Sequence, residues 1–401
     1  MSNKQKIKIV SLDSSNLTKN KLNTKNLFSF KEKENKIEAF ERQAFLNVIS
    51  EKLLPSQKED LVKPTRVYAD EKDILAIHWH PEFIPLDIIA QRITNTFPNA
   101  TNKLIIPTQH NMLMSFNGYS GVEIDCFSPE FNRKIQLLLH FGKIDETKFK
   151  KLKLIIDHTF KYRSKQLFEL LETLSDKPES VRILKAVENT GVSRSVVDFV
   201  RLQAKKLLIM INENIKILPP LAIKNKLVRN YLDEINKFYD ERIIDLAQIF
   251  VKAVKEIVKS EFDNSYFYNT SEIIYEARLL NAGIIIPHPE QFWPVLLAGY
   301  DVDGYEVWNP QSREYTEFLV QVVLEQNKTR KFKARPILVF MGDDTHMGEK
   351  SRPMKVRDFF KSEREIGLQP AWEDPEIKKI LIRAGYSKER IINEYRSRLD
   401  Y

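Results

Sequence analysis

Six of the seven histidines in this 401-residue chain stand at or just after the C-terminal end of an apolar run. The pattern is sharpest in Ile74-Leu-Ala-Ile-His78-Trp79-His80. Side chains two apart in a strand share a face. Both imidazoles can therefore reach one divalent cation while Trp79 turns to the other side. Two hydrogen-bonded, partly buried histidines would give the same local pattern, so later strands must decide. They end the same way, at His110, His140, His288 and His346, and Glu123, Glu306, Asp343 and Asp344 join them. Scattered core histidines have no reason to choose that position. Imidazoles and carboxylates converging on one end of a set of strands build a multinuclear metal site. The alternative is a set of unrelated hydrogen-bonded residues at loop starts.

Periodicity and breakers give the order of elements. Residues 1–30 are rich in Lys, Asn and Ser. Ile37, Phe40, Phe45, Val48, Ile49 and Leu53 fall near helical spacing. They predict one amphipathic helix over 31–55, stopped by Pro55 and followed by a linker to about Thr65. Strands over 74–80, 104–110, 121–127 and 136–141 follow, with a helix over 85–96. Residues 145–278 carry almost no strand signal and read as helices rich in Leu, Ile and Lys. Connections between strand and helix usually take about 2–6 residues, so this stretch predicts an inserted helical domain. Alternation resumes with a helix over 272–281, strands over 284–288, 304–309 and 336–346, and a helix over 315–327. Repeated βα units argue for a parallel sheet or a barrel. About seven strands with polar C-terminal ends favour a (β/α) barrel with its site at the C-terminal face. The expected organisation is a basic tail plus helix over 1–65 and a first barrel part over 66–145. A helical insert over 146–270, a second barrel part over 271–350 and a helical extension over 351–401 complete it.

Composition narrows the setting. The net charge of +8 is concentrated early: before Glu32 the only acid is Asp13, set against seven lysines. Such a segment can touch nucleic acid or a membrane surface, or be a solvated tail. No apolar run reaches the roughly 18 residues needed to span a bilayer, and the first residues lack the apolar core of a secretory signal. The single cysteine, Cys126, excludes an intrachain disulfide framework. These features predict a cytoplasmic protein without a membrane partner.

The ordered motifs resemble those of the PHP (polymerase and histidinol phosphatase) superfamily. They are His78-x-His80, Thr108-Gln109-His110, Gly121-Val-Glu123, His140, Pro287-His288-Pro289, Gly304-Tyr-Glu306-Val-Trp-Asn309 and Gly342-Asp-Asp344-Thr-His346, spread over roughly 70–145 and 270–350. The resemblance implies a distorted seven-stranded (β/α) barrel with two or three divalent ions, Zn, Mn or Fe, and phosphoester hydrolysis. It implies that His78, His80, Glu123 and Asp344 hold one ion. Glu123 would bridge to a second held by His140 and His288, and His110 and His346 would hold a third. The chain departs from the family pattern at Gln109, where an aspartate is common, and after His80, where a further ligand is common. Glu82 and Asp87 are the candidates to stand in there.

The expected chemistry is in-line attack on a phosphate ester by hydroxide activated by the metals. Asp344 and His346 are candidates for orienting water or protonating the leaving oxygen. Glu306 reads as a contact to metal-held water or substrate, or as a loop brace; Asp343 reads as turned away. The expected substrate is a phosphorylated small molecule or a nucleic acid. Residues 182–200, with Gly191 and Ser193 between two helices, are compatible with a helix-turn-helix or with an ordinary helical corner. The rival readings are a nuclease acting on nucleic-acid ends and a degraded metal-binding interaction protein.

Overall fold

The computed structural model describes residues 36–145, 147–329, 335–354 and 357–400. The basic tail lies outside the described residues. The chain opens with α1 (Ala39–Ile49) and α2 (Pro55–Val62), then β1 (Asp73–Ala76), β2 (Trp79–His80) and α3 (Leu86–Thr96). Next come β3 (Asn102–Ile105), β4 (Met114–Phe116), β5 (Tyr119–Ser128) and β6 (Arg133–Phe141). Six helices follow: α4 (Lys150–Phe160), α5 (Tyr162–Ser175), α6 (Val181–Thr190), α7 (Arg194–Glu213), α8 (Lys226–Ile235) and α9 (Glu241–Ser260). The remainder holds α10 (Thr270–Arg278), β7 (Gly283–Ile286), β8 (Gly304–Trp308), α11 (Thr316–Thr329), β9 (Leu338–Met341) and β10 (Thr345–His346). It closes with α12 (Met347–Lys350), α13 (Phe359–Ser362), α14 (Pro375–Arg383) and α15 (Lys388–Leu399). Pro55 was expected to end a helix and open a linker. It instead occupies the first turn of α2, where its missing N–H costs nothing.

The chain forms two compact units, one within Met1–Ser50 and Lys165–Glu261, the other of Glu51–Ser164 and Phe262–Tyr401. The first is helical. Phe45 of α1 shares a core with Leu170, Phe199, Leu207, Tyr231 and Phe250. Among these apolar side chains lies one fully buried carboxylate, Glu41. It is satisfied by Lys206 Nζ at 2.7 and 2.8 Å and by the Tyr239 hydroxyl at 3.2 Å, as a buried charge requires. Gly191, at φ +66°, ends α6 in the left-handed region that favours glycine. Arg194, exposed at the start of α7, is already paired with Glu179 at 2.8 Å and Asp198 at 3.3 Å.

The second unit corrects the expected fold. It is mixed α/β, with a six-stranded sheet ordered β4-β5-β6-β7-β8-β9 and two separate two-stranded sheets, β1-β3 and β2-β10. A closed seven-stranded barrel is not formed among the described residues. The local reason is turn chemistry. Asn117 and Gly118, at φ 49° and 86°, form a two-residue loop between β4 and β5, the conformation a tight hairpin needs. Residues 129–132 return β5 directly into β6, so that pair is antiparallel too, and β6 pairs antiparallel with β7. Parallel pairing needs a long crossover; only β7-β8 and β8-β9 have it in this sheet. Val122, Ile124, Leu137, Leu139, Ile284, Val307 and Val339 are fully buried. Each such side chain contributes roughly 1.5–3 kcal/mol relative to exposure. No described helix is long and apolar enough to cross a membrane.

The reversal of β6 relocates His140. It pairs with Gly121 and Gly283 in register, and its Nδ1 lies 2.8 Å from the Tyr395 hydroxyl of α15. Burial holds His140 down to about 3. An unfolded histidine titrates near ~6.5, so between these values the unfolded chain binds the extra proton. The stability His140 supports is thus complete above about pH 6.5 and is lost as pH falls toward about 3. The melting temperature of metal-free protein should drop across that window, and His140→Gln should flatten the drop. Equal slopes for the two proteins would remove His140 as the cause.

Candidate metal centre

Backbone hydrogen bonds bring the ends of several strands to one place. Thr108 N donates to Trp79 O at 2.9 Å, and the Thr108 hydroxyl accepts from Trp79 N at 3.1 Å. Asp344 N donates to His78 O at 2.8 Å, and Glu123 N donates to Gln109 O at 3.2 Å. Strand alternation then acts on the His-x-His segment. Trp79 packs edge-on against Phe116 in an apolar cluster, and His78 and His80 share the other face.

Glu123 is the centre of the arrangement. Its carboxylate is buried and makes no hydrogen bond, yet four imidazoles surround it. His78 Nε2 lies 3.9 Å away, His80 Nε2 3.7 Å and His288 Nε2 3.5 Å, while His110 Nδ1 is in direct contact. Asp344 Oδ1 stands opposite, 3.7 Å from His78 Nε2, 3.3 Å from His80 Nε2 and 3.4 Å from His346 Nε2. The ring of His80 is stacked between those of His110 and His346, at 4.2 and 4.3 Å. Two sets of ligand atoms lie within 4.8 Å of one another: His78, His80 and Glu123, and His80, His110 and His346. His80 belongs to both. His140 belongs to neither and is held at the Tyr395 hydroxyl instead.

The electrostatics follow from this crowding. Burial pushes His80 well below its ordinary value, and the neighbouring His110 and His346 add to the effect. Burial also lowers His110. At Glu123 and Asp344 burial opposes charge, but the surrounding imidazoles hold both carboxylates well below their usual range. His78 goes the other way: burial opposes its charge, yet Glu306, with Asp344 and Glu123, raises it to about 10.

Glu306 is the residue that sequence reading undervalued. Both of its oxygens lie 3.1 Å from His78 Nδ1, so His78 presents Nε2 to Glu123 and Asp344. Glu306 also accepts from His288 N at 2.8 Å and from Asn309 Nδ2 at 3.2 Å. A single carboxylate thus aims one imidazole and fixes the backbone of another. The signal was available: Glu306 lies on a strand among residues of alternating face, at the same end as the histidines. Asp344 is aimed similarly, its Oδ2 accepting from Gln311 Nε2 and Arg364 Nη1, each at 2.8 Å. Arg163 on α5 carries no signal in its helical sequence, yet its charge is felt at Glu123, Asp125, Glu82 and His110. Asp343 is turned away, accepting from Gly367 N at 2.9 Å, and burial raises it to about 6. Gln109 is not a ligand: its Oε1 accepts from Glu82 N at 2.9 Å. Glu82 Oε1 comes to 3.7 Å from His346 Nδ1, whereas Asp87 lies in the first turn of α3.

Glu82, Asn111, His288 and Asp344 have φ of 52°, 50°, 31° and 45°. Non-glycine residues seldom adopt this region, and where they do the conformation is held by its surroundings, often at functional sites.

No protein-family model matches the chain, and no curated protein matches it. Among solved structures, a candidate metal-dependent phosphoesterase from Bifidobacterium adolescentis aligns at 14% identity over 70% of this chain and 85% of that one, with a TM-score of 0.35. A likeness of that size carries no argument about fold or activity.

A Cβ at Gly342 would coincide with the Glu306 carboxylate. Gly342→Ala and Glu306→Ala should therefore share one defect, a misdirected His78. Loss of such an orienting partner typically costs about 10–100-fold in metal affinity, to be read by titration calorimetry with Zn2+ or Mn2+. Wild-type affinity in both variants would show that Glu306 does not aim His78.

Proposed function

We propose that the protein is a metal-dependent phosphoesterase. The observation that carries the metal part is the pairing of Glu123 and His80. Both Glu123 oxygens and both His80 ring nitrogens are buried without a hydrogen bond. Buried polar groups are otherwise satisfied, and a divalent ion would satisfy the Glu123 carboxylate and His80 Nε2, the ring nitrogen that faces it. The donor set of imidazole and carboxylate suits Zn, Mn and Fe. His78, His80, Glu123 and Asp344 would hold one ion. His110 and His346, with Glu82 nearby, would hold another, since a neutral His80 ring has one lone pair and serves one ion. The phosphoester part rests on the order of motifs and on the cations that flank the ligands.

Bound there, divalent ions would supply a water of lowered pKa and a charge to offset that of the phosphoryl oxygens. The chain's own residues supply the rest. Glu306 keeps His78 in one orientation, so its Nε2 stays aimed at the site. Gln311 and Arg364 occupy Asp344 Oδ2 and leave Oδ1 to face the imidazoles. The positive charge of Arg163 is felt at Glu123, which favours arrival of an anionic ester. His346, less buried than His80, is held toward its protonated form by Asp344 and Glu82 against burial. Such a ring can give a proton to the leaving oxygen. The same ring can instead be a ligand, and these uses exclude each other.

Elemental analysis separates them. Wild-type protein should carry about two equivalents of divalent metal per chain. His80→Ala should lose at least one, because His80 borders both ligand sets, and turnover of a phosphomonoester panel should fall at least about 100-fold. His346→Ala should lose about one equivalent if the ring is a ligand. It should keep two and lose kcat if the ring is the acid. Metal-loaded wild type that hydrolyses no phosphomonoester or phosphodiester would overturn the reading.

A further inference from the structure

The segment after the candidate metal centre holds an exposed aromatic pair that its own unit leaves uncovered. Phe359 and Phe360 are 67% and 82% exposed, with rings edge to face at 5.9 Å. Their backbone is firmly anchored. Asp358 N donates to Glu349 Oε1 at 2.9 Å, and the Asp358 side chain accepts from Lys361 N at 3.1 Å. Lys350 Nζ donates to Ser362 O at 2.5 Å and pairs with Glu365, which is itself paired with Arg92 in the core. Two large rings are thus fixed in water by buried ionic bonds. Contiguous exposed apolar surface can mark a ligand-binding groove.

The rings line a cleft of about 660 Å3, whose lining includes the edge of the buried Trp308. That volume suits a small organic group. The cleft adjoins the candidate metal centre through Arg364. This side chain lines the cleft and donates to Asp344 O at 2.9 Å and Oδ2 at 2.8 Å. It is only 8% exposed, and its Nε is buried without a partner. Trp308 follows Glu306 by two residues on β8. The remaining charges are mostly negative, since Glu314, Glu363 and Asp374 also face the cleft and only Arg313 joins Arg364.

We propose that this cleft receives the organic part of the phosphate ester, and that this part is a planar aromatic ring bearing N–H donors, of which a nucleobase is the readiest probe. The proposal rests on the phosphoesterase reading for the position of the phosphate, but not for binding of the ring. The phenylalanines offer faces for stacking. The carboxylates accept from ring amines. A second phosphate would meet the acidic side chains, so the ester carries one phosphate.

The test uses the full metal-loaded chain, with adenosine, guanosine and cytidine for binding by equilibrium dialysis, and AMP against ribose 5-phosphate for turnover. Wild type should bind at least one nucleoside. Phe359→Ala with Phe360→Ala should weaken that binding by roughly tenfold or more, in the range of lost base stacking. It should lower the ratio of kcat/KM for AMP over ribose 5-phosphate by a similar factor. Nucleoside binding that depends on both rings, in a metal-loaded protein that hydrolyses no phosphomonoester or phosphodiester, would uphold the cleft and overturn the phosphoesterase reading. Hydrolysis of both esters with equal kcat/KM and no nucleoside binding would overturn the cleft alone. A dimer in sedimentation that the double variant dissolves would also overturn it, by assigning the rings to a second copy.

Discussion

A carboxylate buried among four imidazoles without one hydrogen bond is the constraint from which the strand-bearing unit is best understood. Removing a charge from water is costly unless something of opposite sign replaces the lost hydration. Glu123 is faced by His78, His80, His110 and His288, which come from three separate stretches of chain. Each stretch must therefore end at a fixed height. The backbone bonds of Thr108 to Trp79, Asp344 to His78 and Glu123 to Gln109 hold those heights, and left-handed turns at Glu82, Asn111, His288 and Asp344 bend the chain to deliver the side chains.

Much of this centre was legible in sequence because period-two alternation is a local rule. It placed His78 and His80 on one face and Trp79 on the other, and Trp79 does pack away, against Phe116. What alternation cannot give is strand direction. His140 ends an apolar run as the other histidines do, yet its strand runs antiparallel to both neighbours and carries the ring to Tyr395. The information lay in the turns, in Asn117-Gly118 and in the four residues between β5 and β6, which are too few for a crossover. Reading the runs without their connections produced a barrel where the chain builds a mixed sheet. Pro55 was misjudged for a related reason: proline breaks a helix interior but begins a helix well.

The aiming residues were the least legible part. Glu306, Gln311, Arg364 and Arg163 act through contacts far apart in sequence, such as Glu306 to His78 and Arg364 to Asp344. No spacing rule announces them. Glu306 alone shared the motif's strand context, and Arg163 looks like any helical arginine.

The pairing of β6 with β7 also bears on how the chain reaches its fold. Leu138 and Leu139 of β6 pair with Ile285 and Ile284 of β7, and all of α4–α9 intervenes in the chain. On a ribosome the β4-β5-β6 hairpins emerge first, and β6 then waits with an open edge while the helices are made. Such an edge is a template for pairing with the wrong strand, and domains generally fold in order of synthesis. The helical unit, whose α1 is made earliest and packs with α5–α9, can complete its own core during that wait. Synthesis rate through residues 150–280 thus becomes a determinant of yield. Aggregation of slowly or incompletely translated chains would trace to the apolar ladder of β6.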